Sequence, residues 1–152
     1  MTEKNAIEEL MFQSGMHSDI ENPRWENGFL GMLRPFKGNL IEDNFHKIIS
    51  ALYVLSNKLN ENLIQKEVIS SIWGICHLGR AWGIYPNGML QSNNLINTEQ
   101  TKRLDNWIEH ISYISFCLLD GCEKDVAFEF YETEYKKDLK IYDLKNNSEK
   151  SE

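Results

Sequence analysis

Residues 63–82 carry Val68, Ile69, Ile72, Trp73, Ile75, Cys76, Leu78 and Trp82, and on a helix of ~3.6 residues per turn these side chains cover most of the circumference. A segment apolar nearly all round is a poor surface helix, so the pattern predicts a central helix that others surround. Trp73 and Trp82 are nine residues apart and would point to opposite sides, with both faces packed. Gly74 and Gly79 each cost up to ~1 kcal/mol of helix propensity, and they predict close approach of a neighbouring helix.

The remaining patterns supply the neighbours. Phe45, Ile48, Ile49, Leu52, Leu55 and Leu59 recur at helical spacing over 40–60, where Asn39 and Glu42 are spaced as a capping box. Over 98–120 the stripe is Leu104, Trp107, Ile108, Ile111, Ile114 and Leu118, opened by Asn97 or Thr98 and closed by Gly121 in the left-handed conformation. Over 123–142 Phe128, Tyr131, Tyr135, Leu139 and Tyr142 face one way, with Glu and Lys opposite. No run alternates as a strand does. The expected fold is therefore all-α, an irregular bundle of four principal helices at 40–60, 63–82, 98–120 and 123–142.

Two segments resist this description. Ile7, Leu10 and Met11 give residues 1–20 a weak periodicity that dissolves at Gly15, which predicts a short helix or a loose arm. Residues 21–38 combine two prolines and three glycines with Trp25, Phe29, Leu33 and Phe36, which predicts an irregular aromatic segment wrapped over the core. A single domain is expected over 1–144, followed by a disordered acidic and polar tail at 145–152.

The chain of 152 residues has a formal charge of −7, and the acidity lies at its ends. Residues 1–20 hold four acids against one base, and residues 121–152 hold nine against six. No window offers the basic stripe that releases counterions from phosphates, so nucleic acid is not an expected partner, whereas a basic protein is. No stretch approaches the ~18 consecutive apolar residues of a membrane span, and the N-terminus lacks the basic-then-apolar order of a secretion signal. A soluble cytoplasmic protein follows. Cys76, Cys117 and Cys122 form no CxxC pair, which predicts free thiols and neither a disulfide framework nor a zinc site.

Candidate chemistry is sparse. The spacing Asp43-x-x-His46 is the one ligand-like pair, and a metal site needs several converging ligands. His46 and His110 fall on the polar sides of their helices. Cys76 and His77 are adjacent and so point ~100° apart, which rules out a nucleophile and base pair from that helix alone. The segment Gly28-Phe29-Leu30-Gly31 lacks the spacing of a phosphate cradle. No catalytic residue and no cofactor is predicted. His77 and Arg80 lie one turn apart on an otherwise apolar helix; Arg80 anchors either the wrapping segment or a helix C-terminus, or else the two line a small anion-binding pocket with Tyr85. Phe128, Tyr131 and Tyr135 read as core, and Glu129, Glu132 and Glu134 as a solvated face. Asp125, Glu129 and Glu132 could form an acidic surface for a basic partner, with Trp25, Arg34 and Phe36 of the wrapping segment as a second surface.

The stretch Trp-Gly-Ile-Cys-His-Leu-Gly-Arg-Ala-Trp-Gly-Ile-Tyr-Pro-Asn-Gly-Met-Leu at 73–90, followed by Leu104, Trp107, Ile108, Ile111, Ser112 and Tyr113, resembles small acidic helical bacterial immunity proteins that accompany secreted toxins. The resemblance covers about a third of the chain and transfers no residue role. It implies a protein-binding module that neutralises a basic toxin domain by presenting acids where nucleic acid would lie. The alternative is a small helical enzyme or ligand-binding protein with a pocket near His77, Arg80 and Tyr85. Two physical expectations close the sequence reading. Far-ultraviolet circular dichroism should be dominated by helix, and Ile72, Trp73, Trp107 and Ile111 should all be inaccessible to a soluble quencher or to solvent exchange.

Overall fold

In the computed structural model, residues 1–143 are described, so the tail expected at 145–152 lies outside the described residues. The fold is all-α. Its helices are α1 (Glu3–Gln13), α2 (Pro23–Glu26), α3 (Phe29–Leu33), α4 (Glu42–Val54), α5 (Ser56–Leu59), α6 (Lys66–Gly83), α7 (Met89–Ser92), α8 (Thr98–Leu119) and α9 (Lys124–Tyr135). No strand forms among the described residues, and one antiparallel bridge, Leu33 with Phe36, closes the bend at the cis Arg34–Pro35 peptide.

The long helices fall where apolar spacing put them, and their ends follow local chemistry. Asn97 caps α8 in a capping box: its side chain accepts from Gln100 N–H, and the Gln100 side chain accepts from Asn97 N–H. Gly121, at φ 86°, ends that helix as expected, and Cys122 N–H returns to Cys117 C=O at 2.9 Å. At α4 the expected cap is wrong: Ile41 is the N-cap and makes no side-chain bond, so Asn39 plays no part. The last helix is shorter than its stripe. Lys136 turns left-handed at φ 52°, and Asp138 accepts from Lys140 N–H at 2.9 Å, which reverses the chain and lets Leu139 return to the core from outside the helix.

The N-terminal arm is the main correction. Thr2 caps α1, which packs on α4 and α6; Ala6 and Leu10 join the core, and Phe12 is buried between His17, stacked on it at 3.8 Å, and Arg24, 4.3 Å over its ring. Gln13, itself buried, holds three elements: its carbonyl oxygen accepts from Phe29 N–H at 2.7 Å, and its amide donates to Glu9 at 2.8 Å and Asn44 at 3.4 Å. The bond from Phe29 gives a backbone donor at the start of α3 an acceptor, where Gly28 has no side chain to cap. The wrapping segment is accordingly two short helices with a buried Phe29-Leu30-Met32-Leu33 underside.

Helix α6 is central in that it packs on α1, α3, α7 and α8, but only one face is covered. Val68, Ile72, Ile75, Gly79 and Gly83 point inward, while Trp73 is 73% exposed. Gly79 and Gly83 bring α8 close, since a Cβ on them would meet Ile108 at 2.9 Å and Leu104 at 2.5 Å. Nothing lies within 4 Å of a Cβ at Gly74, so that glycine does not serve packing. Trp107 is buried as expected, stacked on Phe45 at 5.7 Å and edge-on to Phe29 at 6.4 Å. Replacing Trp107 with alanine should cost ~3–5 kcal/mol, whereas Trp73→Ala should stay within ~0.5 kcal/mol. Urea unfolding of the two variants checks the contrast, and equal losses would contradict the placement of Trp73.

Candidate functional site

The sequence-selected residues lie in three separate clefts. His77, Arg80 and Tyr85 share one of about 380 Å³ between α6 and α8, whose apolar walls include Ile69, Trp73, Phe116 and Leu119. Asp125, Glu129 and Glu132 share a shallow one of about 400 Å³ on the outer side of α9, with Val126, Thr133 and Lys140. Trp25 and Arg34 line a third of about 570 Å³, with Glu26, Met32, Lys37 and Ile41. Phe36 is absent from that lining and is instead half-buried against the core, so the wrapping segment does not present it to a partner as expected.

In the first cleft Arg80 is not the anchor of the wrapping segment. It reaches across to α8, where one guanidinium nitrogen donates to Glu109 at 3.3 Å from an exposed carboxylate. Contact between α6 and the wrapping segment is made by α3, whose Phe29 lies beside Gly79, and by Arg34 lying 5.4 Å over the Trp82 ring. Burial pushes the Cys76 thiol up to about 11, with Arg80 opposing it, which takes this sulfur away from the thiolate a nucleophile requires. The sequence did not single out Phe116 and Leu119, which are 63% and 45% exposed. Their signal was present: apolar residues of α8 continue beyond the single stripe its core face needs.

In the second cleft Asp125 and Glu129 are exposed, but Glu132 is not the freely solvated group expected. Desolvation raises its carboxyl above the ordinary value, against the bond it accepts from Leu139 N–H. Glu134 is exposed as expected, and it also pairs with His110 and accepts from Asn106 at 3.1 Å. Beside the acids stand Val126 and Phe130, 50% and 60% exposed, with Phe130 against Tyr113 at 5.6 Å.

His46 and His110 depart from the polar surface expected for them. His110 is buried, and His46 Nδ1 lies 2.8 Å from the Tyr131 hydroxyl. With Phe45 and Tyr135 they form the seam that fastens α9 to α4 and α8. Buried polar groups need partners, and the spacing of aromatics with histidines at 45–46, 107–110 and 131–135 is the signal that could have revealed the seam. No group of three or more His, Cys, Asp or Glu side chains among the described residues is placed to hold a metal ion, and no described helix is long and apolar enough to cross a membrane. No family model, curated protein or solved structure matches this chain.

The seam makes stability depend on pH. Burial lowers His46 below the ordinary imidazole value, Lys137 adds to this, and Glu42 and Asp43 oppose it. The unfolded chain then binds this proton more readily than the folded one. The contribution is fully present above the ordinary value of 6.5 and is lost as pH falls through it toward the folded value. The urea midpoint should drop between pH ~7 and ~5. His46→Gln should flatten that drop, and an unchanged pH slope in this variant would rule out His46 as its source.

Proposed function

We propose that this chain is a protein-binding module of the immunity type, which neutralises a basic toxin domain by direct binding in the cytoplasm, and that the outer face of α9 is its contact surface. The observation that carries the reading is the juxtaposition there of Asp125, Glu129 and Glu132 in one cleft with exposed Val126, beside exposed Phe130. A desolvated apolar centre with charges around it is how protein interfaces combine lasting contact with steered encounter. The chain's charge of −7 and the sequence resemblance at 73–90 support the same direction.

Glu132 is only half-exposed, so charge reversal belongs at its two exposed neighbours Asp125 and Glu129. The partner to test is a basic toxin domain, sought among the products of genes neighbouring the one for this chain. Glu129→Lys, alone or with Asp125→Lys, should slow association severalfold at low salt and flatten its salt dependence, with the thermal melt unchanged. Phe130→Ala should act on the dissociation rate instead. Stopped-flow mixing at two ionic strengths separates the two effects. Association of the reversed-charge variant at the parent rate would refute the acidic face as the contact surface.

A further inference from the structure

The cleft between α6 and α8 is distinct from the α9 face and has the opposite electrostatic character. Among the described residues no Asp or Glu lines it, and Arg80 is its one formal charge, in a chain whose net charge is −7. Its long axis is ordered. Gly79 faces Ile108 and Gly83 faces Leu104, so α6 and α8 run antiparallel, and Ile69 at one end is opposite Leu119 while Arg80 at the other is opposite Glu109. Trp73 and Phe116 form the walls between, and His77, Tyr85 and Arg80 gather at the polar end. From Ile69 to Arg80 the helix rises ~16 Å.

We infer that this cleft is a binding site for an amphipathic organic monoanion, with the acid group at the Arg80, His77 and Tyr85 end and the apolar body lying along Ile69, Trp73, Phe116 and Leu119. Three observations carry it. The cleft is the size of small-molecule sites, about 380 Å³, and mainly apolar with few convergent polar groups. Trp73 at 73% and Phe116 at 63% exposure leave large apolar surfaces in water that an occupant would cover. Arg80 makes one hydrogen bond among the described residues, to the 71%-exposed Glu109 at 3.3 Å, which leaves guanidinium donors for an acid. Glu109 is thus a competitor for the ligand's own carboxylate, holding Arg80 when the cleft is empty.

The probe is decanoate below its micelle concentration, followed by the fluorescence of the exposed Trp73, with Trp73→Phe identifying its share of the signal. Decanol and decylamine are the neutral and cationic controls, and anionic phospholipid vesicles are the surface control. Decanoate should bind saturably and at least about tenfold more tightly than decanol or decylamine, as a charge-assisted bond to Arg80 requires. Arg80→Gln should remove that preference and leave decanol unaffected. Glu109→Gln should tighten decanoate, because it removes the competitor, and this arm stands even if Arg80→Gln folds poorly. Equal binding of all three probes, decanoate affinity unmoved in both variants, or a signal seen with vesicles alone would overturn the assignment. The toxin-domain assay reads a different surface, so either proposal can fail without the other.

Discussion

Phe45 lies stacked on Trp107 at 5.7 Å and edge-on to Tyr131 and Tyr135 at 5.6 and 5.1 Å, and this contact of four rings joins α4, α8 and α9. The rings are large enough to dominate burial, and their geometry fixes how the three helices cross. The polar groups carried into the seam set the register. His110 meets Glu134, Tyr135 meets Asn106, and His46 meets Tyr131, so sliding α9 along α8 would leave buried donors or acceptors without partners. Burial pushes the Tyr135 hydroxyl up to about 12, and it remains a protonated donor throughout the physiological range. With α9 so held, its outer face is free of structural duty apart from Glu132.

The same packing explains why apolar side chains remain outside. Helix α6 gives one face to α1 and α8 through Val68, Ile75 and the Gly79–Gly83 pair and also meets α3 and α7, and among the described residues no helix covers the side that carries Trp73. Trp73, Phe116 and Leu119 therefore stay in water beside Arg80, whereas Val126 and Phe130 stay in water beside carboxylates. Two exposed apolar areas, one beside an Arg80–Glu109 pair and one beside carboxylates, suit different occupants.

The four long helices were legible because each needs a stripe of apolar residues at one spacing, and Trp107, Ile111, Phe128 and Tyr131 are buried where those stripes put them. Helix α1 was not legible as a core element, because its apolar positions Ala6, Leu10 and Phe12 are few and its hold on the fold depends on buried Gln13 and on what α4 and α6 present to it. Trp73 was misplaced for a related reason. An all-round apolar helix signals that every face is to be covered, but not whether the covering comes from the chain itself. The acids on α9 were found by their spacing, yet spacing could not reveal that Glu132 accepts from Leu139 N–H, since this contact exists only after the chain reverses at Lys136. His77, Arg80 and Tyr85 were brought together as the periodicity of α6 and the following turn implied, and the pairing of Arg80 with Glu109 came from the antiparallel course of α8.

Helix α1 also sets an order of events in time. Its 11 residues are too few to hold a helix in water unaided, and it packs Ala6 and Leu10 into a core built with α4 and with α6, which ends at Gly83. During synthesis these apolar residues leave the ribosome before α4 and α6 and stay uncovered until both have formed. The closing contacts join distant parts of the sequence, so their loop entropy is lost before their burial is gained. A ribosome that stalls before α6 is complete therefore leaves the apolar side of α1 uncovered on the nascent chain.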